Sequence, residues 1–462
     1  MVFASGVFLY FFLPVFLATY YLAPKAWRSI VIAVASYFFY GWWRPDFVIL
    51  MWISTVVDYT CGKRIVRANS SGSRGKGWLL LSVFLNLGLL AYFKYFNFGV
   101  DTLNSIFAQF DGPSLQFAQV ILPVGISFYT FQTLSYTVDV YRGQAAPVRS
   151  FRDFMCYVAL FPQLVAGPIV RYNTIAEQLH SRTHSLDKFY RGVLAFQAGM
   201  VKKLLIADVL GQVADVAFAA SDLTPAHAWL GAIAYTFQIY FDFSGYSDMA
   251  IGLGLMIGFR FPVNFDQPYR SISITDFWRR WHISLSSFLR DYLYLPLGGN
   301  RKGRIRTYIN LSMTMLIGGF WHGANWTFIA WGAYQGFWLV AERLAGRRPF
   351  YFRLPCALQM ACTFVLVIFG WVLFRSESIG AAGEYFSTMF GFSGAGEVQL
   401  PLRPIHGYAA LAGAAVIWLM PTTQTLMHDA KARWAIPLQV AFWLSLVHLH
   451  YVSHVPFLYF QF

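Results

Sequence analysis

Charge is scarce in this chain. Asp, Glu, Lys and Arg make up 12% of its 462 residues, about half the roughly 25% found in soluble domains, which excludes an ordinary soluble globular protein. Cysteine is scarce too. Cys61, Cys156, Cys356 and Cys362 share no metal-ligand spacing, and each lies in or beside an apolar run, so neither a zinc site nor a disulfide framework is indicated. Met1–Pro24 holds no basic residue. The positive n-region of a cleaved signal peptide is therefore missing, and the expectation is a retained first helix with its N-terminus outside the cytoplasm. No Gly-x-Ser-x-Gly elbow, P-loop or dinucleotide fingerprint occurs, which argues against serine-hydrolase and nucleoside-triphosphate chemistry. There is no internal repeat and no low-complexity tail.

What the chain has in abundance is apolar surface. Hydrophobic residues reach 57% and aromatics 19%, with 46 Phe, 27 Tyr and 16 Trp, as lipid-facing surfaces and interfacial belts require. Apolar runs fall near 6–23, 29–43, 47–61, 77–97, 115–139, 153–168, 190–220, 227–262, 305–321, 324–342, 355–375, 405–420 and 436–455. They predict an all-α polytopic membrane protein forming one embedded domain, residues 1–462, with apolar ends and no soluble domain appended. Pro123, Gly125 and Gly167-Pro168 interrupt two runs and predict re-entrant or half-spanning helices.

The connecting charges obey the positive-inside rule. Lys25 and Arg28 fall inside, and Arg44 with Asp46 forms an outer turn. Lys63, Arg64, Arg67, Arg74 and Lys76 form a basic inner loop. The 98–114 loop has aspartates and no Lys or Arg, and Arg142, Arg149 and Arg152 return inside. The net charge of +14 therefore reads as topology and contact with anionic lipid, not nucleic-acid binding, for which no motif is present.

Residues Asp266 to Arg306 concentrate the charge. At 100° per residue Trp278, Trp281, Leu285, Phe288, Leu289 and Tyr292 share one face, and Arg279, Arg280, Ser287, Arg290 and Asp291 the other. This predicts an interfacial amphipathic helix with Asp276 as N-cap, His282 at the edge of the apolar stripe, and an end at Pro296 and Gly298-Gly299-Asn300. The basic run Arg301, Lys302, Arg304 and Arg306 follows.

Two histidines could carry chemistry. His322 stands in Gly318-Gly319-Phe320-Trp321-His322-Gly323-Ala324-Asn325-Trp326, an apolar stretch with no charged neighbour. An ionisable side chain there marks a functional site by default, and the glycines predict a broken helix facing an enclosed space. His282 has a similar aromatic flank, and apolar burial keeps such an imidazole neutral, the form a general base needs. The competing reading of each is a hydrogen-bonded packing residue. Asp242, Ser244, Tyr246, Ser247 and Asp248 interrupt another apolar run, and line a polar passage or form a structural network between helices. His448, His450 and His454 do not share one helix face, so a metal site there is disfavoured and none is expected elsewhere.

Three stretches resemble the membrane-bound O-acyltransferase family: Asp276-Phe277-Trp278-Arg279-Arg280-Trp281-His282-Ile283-Ser284-Leu285, Leu289-Arg290-Asp291-Tyr292-Leu293-Tyr294 and Gly319-Phe320-Trp321-His322-Gly323-Ala324-Asn325-Trp326. Tyr240 to Gly252 and Gly167-Pro168 match as well. The likeness is strongest over about 230–340, is less distinct beyond about 380, and points to the bacterial exopolysaccharide branch that acetylates alginate or cellulose. It implies a ring of roughly 11–13 helices, at about 20 residues per span, with re-entrant and interfacial helices around a central funnel and tunnel. It implies a cytoplasmic acyl thioester donor (acetyl-coenzyme A), a periplasmic acetyltransferase partner and polysaccharide machinery, and a place in the bacterial inner membrane. His322 matches the family's central histidine and His282 the second histidine of the branch. Asn325 or Trp321 would then assist the oxyanion, with Asp242, Ser244, Tyr246, Arg290 and Asp291 supporting the tunnel. Arg301, Lys302, Arg304 and Arg306 would meet coenzyme A phosphates, or anchor to anionic lipid. A transporter using the histidines as a proton relay, or a non-catalytic scaffold of an export complex, is the alternative.

Overall fold

The computed structural model describes residues 1–73, 75–165, 167–392, 396, 398–429, 432–451 and 458; Arg74 and His454 lie outside them. Among the described residues the chain is helical, with no β-strand. It packs as two compact units, residues 1–192 with 253–262, and residues 193–252 with 263–462.

The first unit contains α1 (Leu13–Leu22), α2 (Arg28–Gly41), α3 (Asp46–Ser70), α4 (Lys76–Ala108), α5 (Ile126–Tyr141), α6 (Phe151–Ala159) and α7 (Tyr172–His180). At 33 residues α4 is about 50 Å long, ample for a hydrocarbon core of about 30 Å. Phe8, Phe12, Phe16 and Phe39 pack around Phe161 at centroid distances of 5.0–6.2 Å. Polar groups pin α3, α4 and α5 together. The buried Asp58 carboxylate accepts from Ser82 at 2.6 Å and from Asn86 at 2.8 and 3.0 Å, while Ser82 also reaches Thr137. A buried carboxylate is tolerable here because its lone pairs are filled.

The apolar run expected at 115–139 becomes helical only at Ile126, after Gly125 at φ +78°. Residues 113–123 instead form a non-helical strap. Asn97 holds it by paired bonds to Val120, and Asn104 by paired bonds to Leu115. Side-chain amides thus satisfy backbone groups that an extended apolar segment would otherwise leave bare.

The second unit begins within α8 (Leu186–Val201), which runs through a π-helical turn, Lys202–Ala207, into α9 (Asp208–Ala219). There follow α10 (Pro225–Met256), α11 (Ile274–Arg280), α12 (Ile283–Leu289), α13 (Arg304–His322), α14 (Trp326–Leu344), α15 (Cys356–Arg375), α16 (Ile379–Met389), α17 (Pro404–Trp418), α18 (Thr423–Asp429) and α19 (Ala432–Tyr451). By length and composition α4 and α15 can each cross a membrane, and α17 with α18, bent by 70°, makes a third such segment. Other apolar runs form helices that turn buried polar residues toward one another. A Cβ on Gly199 would lie 2.3 Å from the Gly245 carbonyl, so α8 and α10 touch backbone to backbone. One turn on, Lys202 pairs with Asp248 at 2.6 Å, and Lys203 bridges Asp208 at 2.6 Å and Asp242 at 2.8 Å.

The amphipathic helix expected across 276–292 is corrected in two respects. It is broken at Trp281-His282 into α11 and α12, because His282 adopts φ +43°, a left-handed backbone uncommon outside glycine. The N-cap is Ser273, whose hydroxyl accepts from the Asp276 amide; Asp276 sits three residues inside and accepts from the Ile272 amide.

Candidate active site

The site is built from α10 to α15. Helices α13 and α14 form a tight hairpin, since a Cβ on Gly319 would meet the Phe328 carbonyl at 2.3 Å and one on Gly332 the Met315 carbonyl at 2.6 Å. α13 ends at His322, Gly323 is extended, and Asn325 starts α14 by accepting from the Thr327 amide at 3.0 Å. The broken helix expected around His322 is present. α14 also places α11: the buried Glu342 carboxylate accepts from the Ile274 and Thr275 amides at 2.7 and 2.9 Å, an acid on a helix N-terminus where free amides and dipole favour it. Gln335 accepts from the Trp278 indole at 3.1 Å.

These supports bring His282 and His322 together. Their ring centroids are 6.4 Å apart, although 40 positions separate them. His282 is fully buried and His322 is 4% exposed. Trp321, Trp331 and Phe374 surround His322 at 5.0–5.3 Å. Phe243 of α10 meets His282 edge-on at 4.7 Å, with Phe265 stacked beyond it. His282 sits on the turn between two short helices, outside the spanning helices. Burial pushes its imidazole below the ordinary histidine value, because a charge there would lose its hydration. Its Nδ1 lies 3.1 Å from the Asn264 carboxamide oxygen, and its Nε2 is buried with no protein hydrogen-bond partner. The Trp331 indole N–H is likewise buried without one. Two imidazoles and an indole donor among aromatic rings can accept a proton and steady a developing oxyanion.

The other expected residues divide. Trp321 packs against both imidazoles, with ring centroids 6.3 Å from His282 and 5.0 Å from His322. Asn325 is placed by its own bonds: its oxygen caps α14 and one N–H of its amide donates to the Glu377 carbonyl at 2.8 Å. Asp242 and Asp248 are bound to Lys203 and Lys202, which favours the structural network over the polar passage. Tyr246 is buried beside them, and Ser244 borders a pocket of about 100 Å³ with Lys202, Asp248 and Gln267. Arg290 and Asp291 pair with each other at 2.6 Å, with the Arg290 guanidinium exposed. Arg301, Lys302, Arg304 and Arg306 are exposed at the opposite end of α13 from His322, about 27 Å away by helix rise. Among the described residues no group of three metal-ligating side chains occurs, and His450 bonds within its own helix to the Leu446 carbonyl. Sequence reasoning overlooked Asn264 and the Lys202-Lys203 pair. The lysines carried a signal, two cations inside the 190–220 apolar run; Asn264 carried none.

Residues 143–380 match the profile of the membrane-bound O-acyltransferase family. The chain belongs to that family of membrane acyltransferases. At finer range it is 50% identical to "Probable alginate O-acetylase AlgI" of Pseudomonas syringae pv. tomato, across 92% of this chain and 81% of that protein. It is 36% identical to the peptidoglycan O-acetyltransferase of Helicobacter pylori, across 85% of this chain and 80% of that protein. With the teichoic acid D-alanyltransferase of Streptococcus thermophilus identity falls to 29%, over 49% of this chain and 59% of that protein.

Proposed function

We propose that this acyltransferase moves acetyl groups from acetyl-coenzyme A on the cytoplasmic side of the bacterial inner membrane toward the periplasm. There a partner acetyltransferase completes O-acetylation of an exopolysaccharide of the alginate type. The observation that carries the reading is the buried pairing of His282 and His322. His322 takes the proton of an acceptor hydroxyl, and His282 positions or relays. A thioester is already activated, so one placed base, worth roughly 10²–10⁴-fold, together with orientation of the reactants beside it, is sufficient assistance. The polymer assignment rests on the names of the alginate relatives. The donor assignment rests on the chemistry of the family; the basic cluster at the start of α13 is exposed to a soluble donor's phosphates or to anionic lipid alike.

The test is polymer acetyl content in cells carrying wild type or His322→Ala, alongside transfer from labelled acetyl-coenzyme A in proteoliposomes. The variant should reach the membrane in normal amount and lose acetylation by about 10²-fold or more. Unchanged acetylation by a folded His322→Ala protein would make the chain a scaffold, and uptake without any acyl donor would make it a transporter.

A further inference from the structure

His282 carries a feature that proton relay alone does not require: one residue determines which of its nitrogens can accept a proton. Asn264 lies 18 positions upstream and is buried. Its side-chain oxygen receives the Ser284 amide at 3.2 Å, the Ser284 hydroxyl at 2.8 Å and the His282 Nδ1 at 3.1 Å. Its backbone carbonyl receives the Ile283 amide at 2.9 Å. The Ser284 amide can only donate, so the carboxamide atom facing this cluster is oxygen, and the amide orientation is set by the network. Facing an acceptor, Nδ1 must carry the proton. In a neutral imidazole the other nitrogen, Nε2, is then the acceptor. That nitrogen is the one without a protein partner, on the ring 6.4 Å from His322. Asn264 also caps the first amides of α12, so the same side chain steadies the left-handed turn at His282. A non-glycine residue at φ +43° persists where its surroundings over-determine it.

We propose that Asn264 is the positioning residue of the site, locking His282 in the Nδ1–H tautomer so that Nε2 is the terminal proton acceptor of the relay. The inference rests on the acyltransferase reading above. In the step, the acceptor hydroxyl oxygen bonds to the acetyl carbonyl carbon and the carbon–sulfur bond breaks. The hydroxyl proton, taken at His322, passes to Nε2, which delivers it to the sulfur, and the sulfur leaves as thiol. Asn264 holds the transient imidazolium through the same Nδ1–H bond. The groups facing His282 are Phe243 from α10, Phe265 and Asn264 from the preceding loop, and Trp321 and His322 from α13. His322 is the titratable one among them.

The tautomer is read on full-length wild-type protein in nanodiscs, labelled with ¹⁵N-histidine, by difference against His282→Gln. A pyridine-type Nε2 and a pyrrole-type Nδ1 are expected; the reverse overturns the proposal whether or not an Asn264 variant folds. Function is read from the pH profile of acetyl transfer. Asn264→Asp keeps the acceptor geometry but adds a negative charge that favours the imidazolium. Because the neutral ring is the active form, the acid limb should move upward by about 1–2 pH units. Asn264→Ala should lower kcat at unchanged donor KM, and Asn264→Asp should restore part of it above the shifted limb. A folded, active Asn264→Asp whose acid limb coincides with wild type overturns the positioning role. If wild type itself shows no thioester-dependent transfer, the acyltransferase reading fails instead, and the nitrogen spectrum separates that failure from this one.

Discussion

Lys203 offers the most decisive perturbation of the scaffold beneath the site. Its ammonium is 5% exposed and lies 2.6 Å from Asp208 and 2.8 Å from Asp242, whose side chains are 6% and 2% exposed. Lys203→Met leaves two buried carboxylates facing each other without a cation. Removing one partner of a buried ion pair costs about 3–5 kcal/mol, because the remaining charge keeps its desolvation penalty without its attraction. At about 2–4 °C per kcal/mol for a folded unit of 150–250 residues, the unfolding midpoint should fall by about 6–20 °C. Replacing all three charges at once, as Lys203→Met, Asp208→Asn and Asp242→Asn, removes the penalty along with the attraction and should recover most of the loss. The damage should reach the site as well: Asp242 precedes Phe243, whose ring lies 4.7 Å from that of His282. The assay is tryptophan-fluorescence melting in nanodiscs, with acetyl transfer measured on the same samples. A Lys203→Met protein within about 1 kcal/mol of wild type, or a triple variant no better than the single one, would refute the desolvation argument.

Two further outcomes follow from the hairpin. Asn325→Ala removes the α14 cap and should cost about 1 kcal/mol of stability with kcat little changed; a fall of about 10²–10³-fold in kcat would restore Asn325 as an oxyanion donor. Gly319→Ala places a methyl 2.3 Å from the Phe328 carbonyl, so α13 and α14 must separate; transfer should drop sharply while the protein still inserts, and wild-type activity would show that the hairpin has slack.

Much of the site was legible because its chemistry is rare where it sits. A histidine in an uncharged apolar run is conspicuous, and Gly319 and Gly323 beside His322 announced both the helix break and the close approach of α14. The break at His282 was not legible. Neither glycine nor proline marks it, and a continuous 3.6-residue pattern runs through Trp278, Trp281, Leu285 and Phe288. Asn325 was legible as a polar residue beside His322, but its structural bonds to Thr327 and Glu377 were not, because Glu377 lies 52 positions away. Asp242 and Asp248 were visible as polar intruders, but their partners Lys203 and Lys202 belong to another helix, and pattern within one segment cannot pair two segments.

The sequence by itself determined the solvent of this protein and its chemistry. So few charges and so much apolar surface compel helices in a membrane, and the residues around 282 and 322 identify the acyltransferase family. The tertiary structure decided which groups meet. It brought two imidazoles 40 positions apart to 6.4 Å, and it made Asn264, silent in the pattern, the residue that orients one of them. Periodicity records which face of a helix is apolar; a hydrogen bond between distant segments depends on where packing leaves their backbones, and that is a property of the whole fold.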